Sequence, residues 1–282
     1  MLLELAGRHP LLRDSLAIQS TDDSRIVLDA RRLLFASPLD LTATAATAHA
    51  HAAVDAQATL LLPDSKDVTA YVQRMDLLKA LPPGTQVEGK VPEEIRSDRS
   101  ATLLEVAALR PDTADAISER LGRVATQHLG PRDGRRVFKG IGELIDNAIS
   151  HGASTCGAFI AAQAYSGKTT GYRRLEIAVC DTGIGVLTHL RRNPEHAHVT
   201  SSAEALEHAV RPGVSGTRDT RGNGLPDLLA GTSDTAATRL VLRSGDGLLR
   251  AGRLRRAAVT RSISTRAPVR GTWSWLRVSY RP

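Results

Sequence analysis

Aromatic side chains make up only 3% of this 282-residue chain, so its cores must be built mainly from Leu, Val, Ile and Ala. Cysteine is nearly as scarce. Cys156 and Cys180 are too few for a disulfide framework or a cysteine-built zinc site, and free thiols in a reducing cytoplasm are the simplest account. No apolar run reaches the roughly 18 residues of a membrane span, so none is expected. The opening residues, MLLELAGRHPLLRD, place no basic segment before the apolar one and hold acids and a proline; no secretory leader is expected, and the expected location is cytoplasmic. Acids are missing from one end: from position 239 onward eleven arginines stand against one acid, Asp246. No helix-turn-helix, zinc-finger or aromatic RNA-binding motif accompanies that excess. The arginines sit between strand-like apolar residues, which predicts an exposed sheet face rather than a nucleic-acid footprint.

What is present suits a globular protein: 41% hydrophobic and 24% charged residues, net charge +7, and length for one large domain or two ordinary ones. Positions 1–24 are weakly patterned. Ile26, Val27 and Leu28 read as a short buried strand. Ser37 followed by Pro38, with Asp40 three residues after the cap, is a helix start, and the Ala-rich run to Val54 continues it. A second strand at 59–62 closes at Pro63. Val68, Tyr71, Val72, Met75 and Leu78 then recur at helical spacing behind an Asp64/Ser65 cap. Strand, helix, strand, helix predicts a small α/β unit with a parallel sheet. His49 and His51, two apart on a helix, read as surface residues. Pro82-Pro83-Gly84 and the charged stretch to Ser100 mark a boundary, giving domains 1–95 and 96–282. A strand at 103–109 and a helix through Ile117, Leu121, Val124 and Ala125 open the second.

The stretch 136–152, RVFKGIGELIDNAISHG, gathers Val137, Phe138, Ile141, Leu144, Ile145, Ala148 and Ile149 into one apolar helical stripe. Glu143 and Asn147 share the opposite face, neighbours on consecutive turns. By themselves they are a solvated polar pair; with partners they offer a proton acceptor and an amide oxygen for a hard cation. Leu175, Ile177 and Val179 alternate as a strand that ends in Asp181-Thr182-Gly183-Ile184-Gly185. A carboxylate there can accept from a ligand amino group, and the glycines let backbone lie close to a flat ring. Arg221-Gly222-Asn223-Gly224-Leu225-Pro226 leads into an apolar run, as glycine-rich backbone entering a helix does at phosphates. Between these two segments, a helix near 203–210 and the Gly/Ser/Thr stretch 213–217 have the composition of a lid. Gly271-Thr272 opens a last strand, 272–280, where a hydroxyl can support Asp181.

In order and spacing these segments resemble the nucleotide-binding boxes of the gyrase, heat-shock chaperone, histidine kinase and mismatch-repair (GHKL) ATPases, the Bergerat fold, over roughly 103–280. The boxes are Glu143 to Ala148, Asp181 to Gly185, Gly222 to Leu225, and Thr272. The resemblance implies an α/β sandwich with helices on one face of a mixed sheet, binding ATP and Mg²⁺. Asp181 would take the adenine amino group, with Thr272 behind it and Gly183 and Gly185 admitting the base. Asn147 would be the metal ligand. Gly222, Gly224 and Leu225 would hold phosphates, Ser215 and Thr217 would be lid contacts, and Glu143 would be the general base. The earlier unit resembles STAS domains of anti-sigma-factor antagonists over roughly 20–83, but Pro38 and Leu39 replace the phosphorylatable Ser of that family. This implies a unit that binds a partner or its neighbouring domain without accepting phosphate.

Together these imply a regulatory Mg²⁺-dependent ATPase whose nucleotide state controls a protein partner met through the N-terminal unit. An anti-sigma-type serine kinase and a non-hydrolysing ATP switch are the alternatives. A histidine kinase is disfavoured, because no two-helix segment with a phosphoacceptor His precedes the ATPase boxes. Homodimerisation is left open.

Overall fold

A computed structural model describes residues 1–14, 16–19, 25–93, 98–151, 157–168, 170–214, 226, 229, 236–254 and 257–280. The first half runs β1 (Leu2–Glu4), β2 (Gly7–Arg8), a 3-10 turn at Pro10–Leu12, β3 (Ala17–Gln19), β4 (Arg25–Asp29), β5 (Leu33–Phe35), α1 (Pro38–Ala52), β6 (Gln57–Leu61), α2 (Lys66–Arg74), α3 (Leu77–Ala80) and β7 (Gln86–Glu88). Its sheet has the order β3-β1-β4-β6-β7; β1, β4, β6 and β7 are parallel and only the edge strand β3 is antiparallel. Both predicted helix starts form. Ser37 and Asp40 close a reciprocal capping box, and Ser65 caps α2. The weakly patterned opening residues supply β1 and β3, strands of three residues each, too short to show a period.

The second half runs β8 (Leu103–Leu109), α4 (Pro111–Asp146), a π-helical turn (Asn147–His151), β9 (Ala158–Tyr165), β10 (Arg173–Asp181), α5 (Gly185–Leu190), α6 (Ser202–Ala209), β11 (Ala236–Leu254) and β12 (Ala257–Tyr280). The sheet order is β11-β12-β10-β9-β8. Every pairing in it is antiparallel, so the expected mixed sheet is corrected to an antiparallel one. The β9–β10 connection is short, and after α4 the chain enters β9 antiparallel to β8. α4 is two helices meeting at Gly130 (φ 79°, ψ 169°), with Pro131 opening the second.

The expectation of helices on one face alone is also corrected. One face of this sheet carries Ile160, Ala162, Leu175, Ile177, Val179, Leu240, Leu276 and Val278, and buries them with Val137, Ile141, Leu144 and Ile145 of α4. The opposite face carries Phe159, Ala161, Ala178, Cys180, Trp273 and Trp275, and these share a continuous core with α1 and the first sheet. α1 is therefore a middle layer between two sheets, with twelve of its fifteen residues buried. A helix enclosed on all sides has no polar stripe. Its alanines allow close approach, and Thr42 and Thr44 return their hydroxyls to the carbonyls of Pro38 (2.9 Å) and Asp40 (2.6 Å). Ser37 and Leu39 at its start are buried, so this helix end meets the neighbouring half instead of lying exposed.

Polar bonds cross the same seam. The Val106 N–H donates to the Met75 carbonyl (2.8 Å), Arg74 pairs with Glu105 (2.7 Å), and the Thr42 hydroxyl lies 3.2 Å from the Cys180 sulfur. Arg243, 1% exposed, donates to the carbonyls of Leu11 (3.1 Å) and Arg13. The arginine-rich end is thus only partly the exposed face expected from the sequence: Arg243 is inside, and Arg277 lies against buried Glu176. No helix among the described residues is long and apolar enough to cross a membrane.

Candidate functional site

β10 ends at Asp181, whose side chain has nowhere to go but the gap between the strand end and β12. It is 5% exposed. One carboxylate oxygen accepts from the Gly183 N–H (2.8 Å) and the Thr272 N–H (3.3 Å). Burial raises its pKa to about 6, against the lowering effect of these Gly183 and Thr272 hydrogen bonds. The group is still ionised at neutral pH: a dehydrated anionic acceptor held rigidly at the mouth of a sheet.

β12 reaches this carboxylate because Gly271 has φ +74°; a Cβ there would lie 2.1 Å from the Asp181 carbonyl oxygen. Gly185, the first residue of α5, has φ +76° and faces Ser244. The Ser244 hydroxyl donates to the Gly271 carbonyl (2.8 Å) and accepts from the Val186 N–H (2.9 Å). One buried hydroxyl thus ties the start of α5 to the strand behind Asp181. Sequence reasoning missed Ser244. It stands in a strand with no motif around it, and its partners are 58 and 27 positions away.

Glu143 and Asn147 arrive from the other direction. The apolar stripe of α4 seats on the sheet through Val137, Ile141, Leu144 and Ile145, which turns Glu143 to a half-buried and Asn147 to an exposed position. Phe138 departs from the predicted stripe. It is 38% exposed and packs near Gly122 of the first half of α4, because the bend at Gly130 folds the helix back on itself. Asn147 opens the π-helical turn, which runs beside β10; such a turn redirects side chains at a helix end and recurs at functional sites.

The structure therefore brings Asp181, Gly183 and Thr272 into direct hydrogen bonding, sets Gly185 in the adjoining turn, and places Glu143 and Asn147 on the helix that covers the same sheet. Ser215, Thr217, Gly222, Gly224 and Leu225 lie outside the described residues. No cluster of three or more His, Cys, Asp or Glu side chains suited to a metal occurs among the described residues. Comparison of the chain with models of known families and with curated proteins finds no match.

Proposed function

We propose that this chain binds a purine nucleoside triphosphate with Mg²⁺ between the end of β10 and the Glu143/Asn147 face of α4, as the Bergerat-fold ATPases that its sequence resembles do. The observation that carries the reading is the Asp181 carboxylate: 5% exposed and fixed by two backbone N–H groups at a strand end. Such an acceptor fits an exocyclic amino group, which repays the desolvation that burial imposes. Thr272 braces it from behind, Gly183 lets a flat base approach, and Gly185 makes room for Ser244 at the start of α5. Asn147 offers an amide oxygen to the metal, a donor that a hard cation accepts, and the exposed helix end leaves room for water ligands. Mg²⁺ held there would supply charge neutralisation to the phosphates. Ser215, Gly222, Gly224 and Leu225 are assigned to the lid and phosphates on their sequence pattern alone. Glu143, half-buried and one helical turn from Asn147, is the base that takes a proton from the attacking water. The nucleotide state would then control a protein partner. Since the start of α1 is buried, that partner is met on another surface of the STAS-like unit. Phosphoryl transfer to a partner serine and a non-hydrolysing switch are the alternatives.

Two variants test the reading together. Asp181→Asn should weaken ATP binding by about tenfold or more, the worth of a charge-assisted hydrogen bond. Glu143→Ala should leave binding intact and cut phosphate release by roughly a hundredfold. Unchanged binding in the first variant removes the base-recognition role. Unchanged turnover in the second removes the catalytic one, and label found on a partner protein identifies the kinase.

A further inference from the structure

A cavity opens at the seam, behind the turn that holds Asp181. Its volume is about 230 Å³, open to solvent on one side and lined by the first sheet, the C-terminal end of α1 and the 268–273 segment of β12. Packed interiors rarely leave such volume; it is smaller than a drug-sized pocket and has room for a ligand of roughly ten heavy atoms. Leu3, Val269 and Trp273, all buried, form an apolar floor. The polar side chains of the lining are Thr47, His51, Thr182 and Arg270. Arg270 is exposed in the wall, and His51 donates its Nδ1–H to the Thr47 carbonyl (2.9 Å), leaving Nε2 for another partner. No acidic side chain lines the space among the described residues. A mainly apolar lining that includes one arginine and no carboxylate favours one chemistry: an apolar body carrying a single anionic head.

We propose that this cavity is a binding site for a small amphipathic carboxylate, its chain against Leu3, Val269 and Trp273 and its head on Arg270 and His51. The site stands independently of the nucleotide reading, although its walls adjoin the residues that hold Asp181: Thr182 lines it, and Arg270 precedes Gly271 and Thr272.

Trp273 and Trp275 are the chain's only tryptophans, so Trp275→Phe leaves Trp273 as a reporter inside the cavity. Octanoate, octanol and octylamine are titrated against the full chain by fluorescence of that variant and by calorimetry of the wild type, which serves alone if the variant does not fold. Octanoate should bind saturably, roughly tenfold tighter than octylamine, and Arg270→Ala should remove that preference while leaving octanol unchanged. Ala50→Leu, which puts a larger side chain into the cavity, should abolish all three signals while the melting transition stays cooperative. Absence of saturation below millimolar octanoate, equal binding of the three probes, or an Arg270→Ala chain that binds octanoate as before would each overturn the proposal.

Discussion

The environment of Asp181 shows how much one residue's chemistry depends on a neighbour that has no side chain. Its carboxylate is reached by β12 only because Gly271 turns at φ +74° within contact distance of the Asp181 backbone. Adding a methyl group there forces both a positive φ on an L-residue and a shift of the strand away from Asp181. Gly271→Ala should therefore cost on the order of 2–4 kcal/mol, read as a fall in the thermal midpoint. The strain has two sources, and a variant as stable as the wild type would show that β12 does not make this approach. On the proposed nucleotide reading, the same carboxylate predicts a pH profile for binding. With its pKa at about 6, Asp181 loses its acceptor charge as pH falls through that value, so affinity should drop between pH 7 and 5. Asp181→Asn should lack that drop, whereas a shared profile would assign the effect to another group.

The kinked helix α4 carries the next prediction. Its two halves fold back on one another where Gly134 meets Thr126; a Cβ at Gly134 would sit 2.6 Å from the Thr126 Cα. Gly134→Ala should wedge the halves apart and destabilise by roughly 1–3 kcal/mol. Gly142, with nothing within 4 Å of where its Cβ would be, is the control: Ala there should stabilise by up to about 1 kcal/mol through helix propensity. If both substitutions act alike, the halves are not in contact. This bend also shows where sequence reading stopped. The 3.6-residue period correctly put Val137, Ile141, Leu144 and Ile145 on the sheet, because that information is local. Phe138 fits the same period but faces Gly122, because Gly130 reverses the chain and supplies a second surface that no window of residues reveals. α1 was legible as a helix from its cap, yet its two-sided burial depends on a sheet more than a hundred positions later, marked by the Thr42–Cys180 approach. At the site, Asp181 could be picked out as a strand end with glycine beside it. Thr272, expected to open the last strand, instead lies inside β12 (Ala257–Tyr280), because the long β11–β12 hairpin extends that strand. Ser244 acts only through tertiary contacts.

At the scale of the whole molecule, the seam between the two sheets is unusually rich in buried carboxylates. Asp40 and Glu176 are each 1% exposed, and burial raises their pKa values to about 6 and about 7. Glu176 sits on β10 with Arg277 3.8 Å away on β12. Arg174 on its own strand, Asp40 on α1, Tyr71 on α2 and Tyr165 on β9 complete the surrounding titratable groups. The Trp275 indole approaches the carboxylate without making a sound hydrogen bond, and one Glu176 oxygen is left unpaired. Burial also lowers the pKa of Arg277, so both partners indicate that the ionised pair is under-compensated. The sign follows from proton linkage. A carboxyl that holds its proton more tightly folded than unfolded opposes folding once ionised, so stability should rise as pH falls from about 7 toward 4.5. His9 works the other way: burial lowers its pKa, so it costs stability below its ordinary value of 6.5. Asp29, lowered mainly by its hydrogen bond from Arg31, withdraws support only in the more acidic range near its ordinary 3.8. Thermal midpoints measured from pH 4.5 to 8 should therefore decline toward the alkaline end, with Glu176 responsible for on the order of 2–3 kcal/mol. Glu176→Gln, which keeps the shape and removes the charge, should make that decline shallower, leaving the part due to Asp40 and Asp181. If the two chains lose stability in parallel as pH rises, the ionised Glu176 carboxylate is not what the seam is working against.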